Sequence, residues 1–220
     1  MGGLMEHYRE GGWAMHLILF FLILGLGFTI ERAVYLYKSR IDAVQFVATL
    51  QKCILAGDLG RAIKLCSASN APLGRIVKAG LLKANRPDEE VQSAMDETAL
   101  IELPKIEHRT PFLGLFANLS MLCGLFGTVV GLIGAFGAVA GADASSKATM
   151  LAKGISEAMH CTFFGLLTAI PGLVFFGILQ GRTQKLHDDI NEASVAVLNL
   201  IVTNRDKLDL STLGAAREEA

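Results

Sequence analysis

Apolar residues concentrate in three stretches of this chain, each long enough for a helix to cross a hydrocarbon layer. The first runs from Trp13 to Ile30, the second from Phe112 to Ala140 and the third from Ile155 to Leu179. Roughly eighty mostly polar residues, 31–111, separate the first two, whereas only the short segment 141–154 joins the second to the third. Segments 1–12 and 180–220 flank the set. This pattern predicts an all-α membrane protein with three transmembrane helices, in which long helices extend into a cytoplasmic helical bundle.

Outside the spans the spacing stays helical. Neither Gly nor Pro interrupts the chain between Ile30 and Gly57, so the first helix is expected to continue from Trp13 to about Ala56 and project beyond the membrane. Gly57-Asp58 reads as a helix stop followed by an N-cap, with Ala62, Ile63, Leu65 and Cys66 forming the next apolar face. Asn70-Ala71-Pro72 breaks that helix, and Ile76, Val77, Gly80 and Leu81 mark another. Asp88, Glu89 and Glu90 sit where a helix N-terminus favours negative charge. Pro104 is expected to interrupt this helix, and Pro111 marks the start of the second span. Beyond the third span, Leu186, Ile190, Ala193, Val197, Leu200 and Ile201 recur at helical spacing, which predicts an amphipathic helix packed on the loop helices. A short surface helix is expected before Trp13, and a frayed end from Ser211 to Ala220.

Composition agrees: 52% of the residues are hydrophobic and 23 are glycine, which suits a membrane protein better than a soluble domain. The net charge of −1 conceals an asymmetry. Arg32, Lys38 and Arg40, Lys105 and Arg109, and Arg182 and Lys185 lie at one set of span ends; the other set has only Arg9, Lys147 and Lys153. The positive-inside rule therefore places 31–111 and the C-terminus in the cytoplasm, and the N-terminus and 141–154 in the periplasm. The first apolar run lacks a basic leader and a small-x-small cleavage site, so it is expected to be a retained span. Cys53, Cys66, Cys123 and Cys161 lack metal-site spacing and are read as small apolar residues without disulfides. Segment 31–111 carries twelve Lys and Arg against ten Asp and Glu, a solvated face and not a nucleic-acid patch. No phosphate loop, dinucleotide fingerprint or nucleophile elbow is present, so neither an enzyme nor a cofactor is expected.

The spans themselves carry the candidate chemistry. In the second, Gly124, Gly127, Gly131, Gly134, Gly137 and Gly141 recur at three or four residues, a small stripe that lets helix backbones approach closely in lipid. In the third, Ala158, Thr162, Gly165, Ala169 and Gly172 repeat the pattern. Glu157 is the only acid within a span; a carboxylate at that depth is costly, and it either serves an ion path or stays hydrated near the interface. Thr128 and Thr162 can hold water or bond a carbonyl of their own helix. Glu157 stands about 140° round the helix from Thr162, and Thr168 is angularly closer to it, so spacing does not decide which face is wet. His160 follows Glu157 by three residues, as a partner or a packed polar group, and a metal site is not expected.

The residues Leu125-Phe126-Gly127-Thr128-Val129-Val130-Gly131, with Gly154-Ile155-Ser156-Glu157-Ala158, Thr162, Gly165, Leu166, Ala169, Ile170 and Pro171, resemble the MotA/TolQ/ExbB proton-channel family, closest to its ExbB and TolQ branch. Ala71-Pro72-Leu73 and Gly80-Leu81 support the resemblance, as does the three-span layout. It implies a homopentamer in the bacterial inner membrane, assembled with a single-span ExbD/TolR-like partner that brings an intramembrane aspartate. It further implies that Thr128, Glu157 and Thr162 line the proton path, with His160 and Thr168 as auxiliary polar residues and Gly124, Gly127, Gly131, Gly134, Gly165, Ala169 and Gly172 in helix packing. The implied function is a stator-type subunit that converts proton motive force into work on the envelope: TonB-type import, Tol-type maintenance or gliding. The other reading is a non-conducting structural scaffold. His160 and Cys161 depart from the family pattern, which more often has aliphatic residues there.

Overall fold

The computed structural model describes residues 8, 11–39, 42–69, 71–141 and 143–205. The surface helix expected before Trp13 and the tail from Ser211 lie outside these residues. Among them the ordered elements are all helical: α1 (Ala14–Ser39), α2 (Ala43–Leu55), α3 (Leu59–Ala68), α4 (Pro72–Leu82), α5 (Asp88–Glu107), α6 (Pro111–Ala140) and α7 (Ala144–Thr203). The chain divides into two compact units. One takes the chain through Ala33 together with Arg109–Gln180; the other takes Val34–His108 and the chain from Gly181 on.

The first unit is built inside out relative to a soluble protein. Its three apolar helices are long enough to cross a membrane, yet no more than 17% of any apolar window is buried. Large side chains such as Phe126, Ile133, Phe136, Phe163, Ile170 and Val174 are exposed, while Gly124, Gly127, Ala158, Cys161, Gly165 and Ala169 are buried. Water would penalise that arrangement and hydrocarbon does not, which is the pattern of a membrane-spanning bundle. Aromatic contacts tie α1 to α6, with the Phe28 and Phe116 ring centres 5.2 Å apart. At the ends of these two helices Arg109 Nη1 donates to Glu31 Oε1 at 2.6 Å.

The second unit has an ordinary apolar core. α2 packs on α3, α3 on α4 and α4 on α5, around fully buried Leu50, Ile54, Leu59, Leu73, Ile76, Leu81 and Val91. The distal part of α7 adds Ile190, Val197 and Ile201; Ile201 lies against Gly80, whose missing side chain also accommodates Met95. Local signals explain the short helices. Gly57 adopts φ +77, a left-handed conformation that only glycine enters without strain. The Asp58 carboxylate then accepts from Arg61 N at 2.8 Å, capping α3. Pro72 occupies the first turn of α4, where its missing N–H costs nothing.

Three boundaries differ from the sequence expectation. The helix expected from Trp13 to Ala56 is interrupted at extended Asp42, which caps a new helix by accepting from Gln45 N at 3.1 Å. α5 runs through Pro104 to Glu107, so the break before the second span falls at 108–110. Segment 141–154, expected as a loop, is helical from Ala144 onward. Gly154 lies in that helix because an added Cβ would strike Ala135 of α6; it is a close-packing glycine and not a helix breaker.

Burial pushes the Cys66 thiol up to about 12, and neighbouring Cys53 adds to the effect, so this thiol stays protonated and unreactive in the folded unit. Glu102 behaves oppositely. Burial alone would raise its carboxyl, but hydrogen bonds from Lys105 at 2.6 Å and Arg75 at 2.7 Å outweigh that and hold it below the ordinary 4.5. The resulting stabilisation is complete above the unfolded-state value and disappears as pH falls through the lower folded one. Glu102→Ala should destabilise this unit by about 1.5 kcal/mol, the low end for a charged hydrogen bond because both cations are half-exposed. Thermal unfolding in lipid nanodiscs should show that deficit at pH 7 and its loss as the medium is acidified well below 4.5.

Candidate functional site

The seam between α6 and α7 is made of small residues meeting in antiparallel order. An added Cβ at Gly172 would lie 3.0 Å from Ala117 Cβ, at Gly165 2.9 Å from Gly124 Cα, at Gly127 2.9 Å from Cys161 Cβ, and at Gly131 3.2 Å from Ala158 Cβ. Ala169 is buried on the same face. Backbones this close leave no room for side chains, and the contact between Gly165 and Gly124 is backbone against backbone. Gly134 differs: nothing among the described residues lies within 4 Å of an added Cβ.

Beside this seam lies an open volume. Gly127, Gly131, Gly134, Lys153, Glu157 and Cys161 line part of a cavity of about 420 Å³, which Gly11, Trp13 and Ala14 help to close. The turn before α1 is fixed there by several contacts. Cys161 Sγ donates to the Gly11 carbonyl at 3.0 Å. Trp13 meets Phe126 edge to face, ring centres 6.0 Å apart. Ala14 Cβ fills the space that Gly127 leaves. Gly12 has φ +67 and lies against the carboxylate of half-buried Glu157, so that a Cβ at Gly12 would collide with Oε1.

The other polar residues of the spans are placed elsewhere. Half-buried Thr128 donates to the Leu125 carbonyl at 2.5 Å, and neither it nor half-buried Thr162 lines the cavity. Thr168 Oγ1 shares its proton between the carbonyls of Phe164 and Gly165 at 3.0 and 2.9 Å, the own-helix bond that hydroxyls in membrane helices commonly make. The His160 ring is 3.4 Å from Ser156 Oγ, one turn earlier. Thus Glu157 is brought to Gly127 and Gly131 but not to the two threonines. Sequence reasoning missed Gly11, Gly12 and Cys161 as neighbours of the acid. Only the Gly11-Gly12 pair beside a polar segment hinted at a turn, and nothing in the spacing joined it to a residue about 145 positions later.

Three membrane-long helices, large side chains outward and small ones at the seam define a multi-pass membrane protein. The model of the MotA/TolQ/ExbB proton channel family matches residues 68–192, and the chain belongs to that family. It is 27% identical over 192 residues to a biopolymer transport protein ExbB homolog of Methanothermobacter thermautotrophicus, covering 87% of this chain and 67% of that protein. It is likewise 27% identical over 171 residues to a biopolymer transport protein ExbB-like 3 of Synechocystis, covering 77% of this chain and 81% of that one.

The seam makes a direct prediction. Gly165→Leu forces side-chain atoms into the Gly124 backbone and should lower stability by about 1–3 kcal/mol, the usual cost of overpacking. Gly177→Leu, where an added Cβ meets nothing within 4 Å, should leave the melting temperature unchanged. Parallel melts of the two variants in one detergent test both.

Proposed function

We propose that this chain is a stator-type proton-conducting subunit that works with a single-span, ExbD/TolR-like partner to turn proton motive force into work on the cell envelope. Family membership carries the reading, and the placement of Glu157 against a cavity within the spanning unit supports it. In this reading the subunits form a homopentamer in the bacterial inner membrane. Segment 31–111 and the C-terminus lie in the cytoplasm, where the Lys and Arg bias assigns them.

The chemistry follows from what each group can do. Glu157 serves as the proton carrier of this chain, since its carboxyl is the one acidic group within the spans. Thr128 and Thr162 exchange no protons of their own but orient water along the path. An intramembrane aspartate on the partner completes the relay, because no second acid occurs in the spans of this chain. One charge crossing 100 mV releases about 2.3 kcal/mol, so a few protons suffice for a domain-scale movement. The two relatives are named for biopolymer transport, and transport of that kind is the work we assign to it.

A non-conducting scaffold is the competing reading, and the backbone contact between Gly124 and Gly165 is the observation in its favour. Proteoliposomes holding the chain and its single-span partner separate the two. Under an imposed potential, the wild type should take up protons, whereas Glu157→Gln and Thr128→Val should lose that flux while still copurifying with the partner. Undiminished flux in both variants would overturn the proton-path assignment, and variants defective only in assembly would favour the scaffold.

A further inference from the structure

Glu157 lines the cavity of about 420 Å³, and Thr128 and Thr162 do not. The Glu157 carboxylate rests on Gly12. We infer that this cavity is a water-filled vestibule that delivers protons to Glu157 within a single subunit. The path then turns at the acid toward Thr128 and Thr162, which lie off the cavity lining. The inference rests on the reading of Glu157 as a proton carrier and adds the route by which the proton arrives.

Three features of the cavity support this assignment. It has the space: Gly134 on its wall leaves open volume where a larger side chain would stand, and the cavity far exceeds what one water needs. It has polarity: Lys153 and Glu157 stand one helical turn apart on its wall, so water inside has charged partners. It has a built rim: Gly11, Trp13 and Ala14 are pinned by Cys161, Phe126 and Gly127, and Gly12 approaches the carboxylate as only glycine can. In the step itself a hydronium in the vestibule gives its proton to the Glu157 carboxylate and remains as water. A second water, beyond the acid toward Thr128 and Thr162, then accepts the proton as hydronium and restores the carboxylate, with no other bond made or broken.

Gly134 offers a clean test because it lines the cavity but has open space around it, so a larger side chain fills the vestibule without striking the seam. In proteoliposomes carrying the chain and its single-span partner, Gly134→Leu should lose potential-driven proton uptake. Gly137→Leu, also in open space but outside the lining, should conduct like the wild type. As a measurement on a channel already shown to assemble and conduct, and in a Cys161→Ser background because Cys161 lines the same cavity, Gly134→Cys should carry protons until a cationic methanethiosulfonate is added and then stop, while the same reagent leaves the Cys161→Ser chain running. Wild-type flux in Gly134→Leu, equal loss in Gly137→Leu, or Gly134→Cys flux that survives complete labelling would each overturn the vestibule. Those results together with a dead Glu157→Gln would leave the acid's role standing and remove only the route. A conducting Glu157→Gln would remove both.

Discussion

The spanning unit depends on one constraint: inside hydrocarbon, apolar side chains gain nothing by turning inward, so helices must be held together by close contact and buried polar bonds. The α6–α7 seam meets that constraint with glycine and alanine, and it brings Gly165 against Gly124 backbone to backbone. Large residues are left facing outward, toward lipid or other protein chains. The same economy of side chains that closes the seam at Gly124 opens a cavity farther along. There the close contact of Gly154 with Ala135 holds the helices together beside Gly134, whose added Cβ would meet nothing among the described residues.

This arrangement gives the glycines two roles that one repeat serves together. Gly124, Gly127 and Gly131 press against α7 or α1, whereas Gly134 borders open volume next to a carboxylate. A polar group at that depth needs partners or water, and the Gly11–Gly12 turn limits how its carboxylate is seated. The rest of the chain follows different physics. Its core of Leu50, Ile54, Leu73, Ile76 and Val91 is the ordinary product of the hydrophobic effect, trimmed by caps at Asp42 and Asp58.

The resulting division explains what could be read in advance. The three spans were legible from run length alone, since hydrocarbon thickness sets a minimum that few other elements reach. The Gly57-Asp58 stop was legible because both residues act through their immediate neighbours. Helix ends that depended on packing were not: Gly154 resembles a breaker until Ala135 is placed beside it, and Asp42 carries no Gly or Pro to announce it. For the site, residue types at depth singled out Thr128, Glu157 and Thr162. Their grouping was another matter, because a helical wheel gives angles within one helix and says nothing of the helix opposite.

The sequence by itself therefore determined the membrane class, the three spans, the family and the inventory of polar groups within the spans, all of which depend on local composition or short spacing. Only the tertiary structure decided that Glu157 meets the Gly11–Gly12 turn and a cavity while Thr128 bonds its own helix and Thr162 stays off the cavity lining. The physical reason is that such contacts join residues about 145 positions apart. Which of them meet is set by the register of the small-residue seam, and no periodicity along a single helix encodes that register.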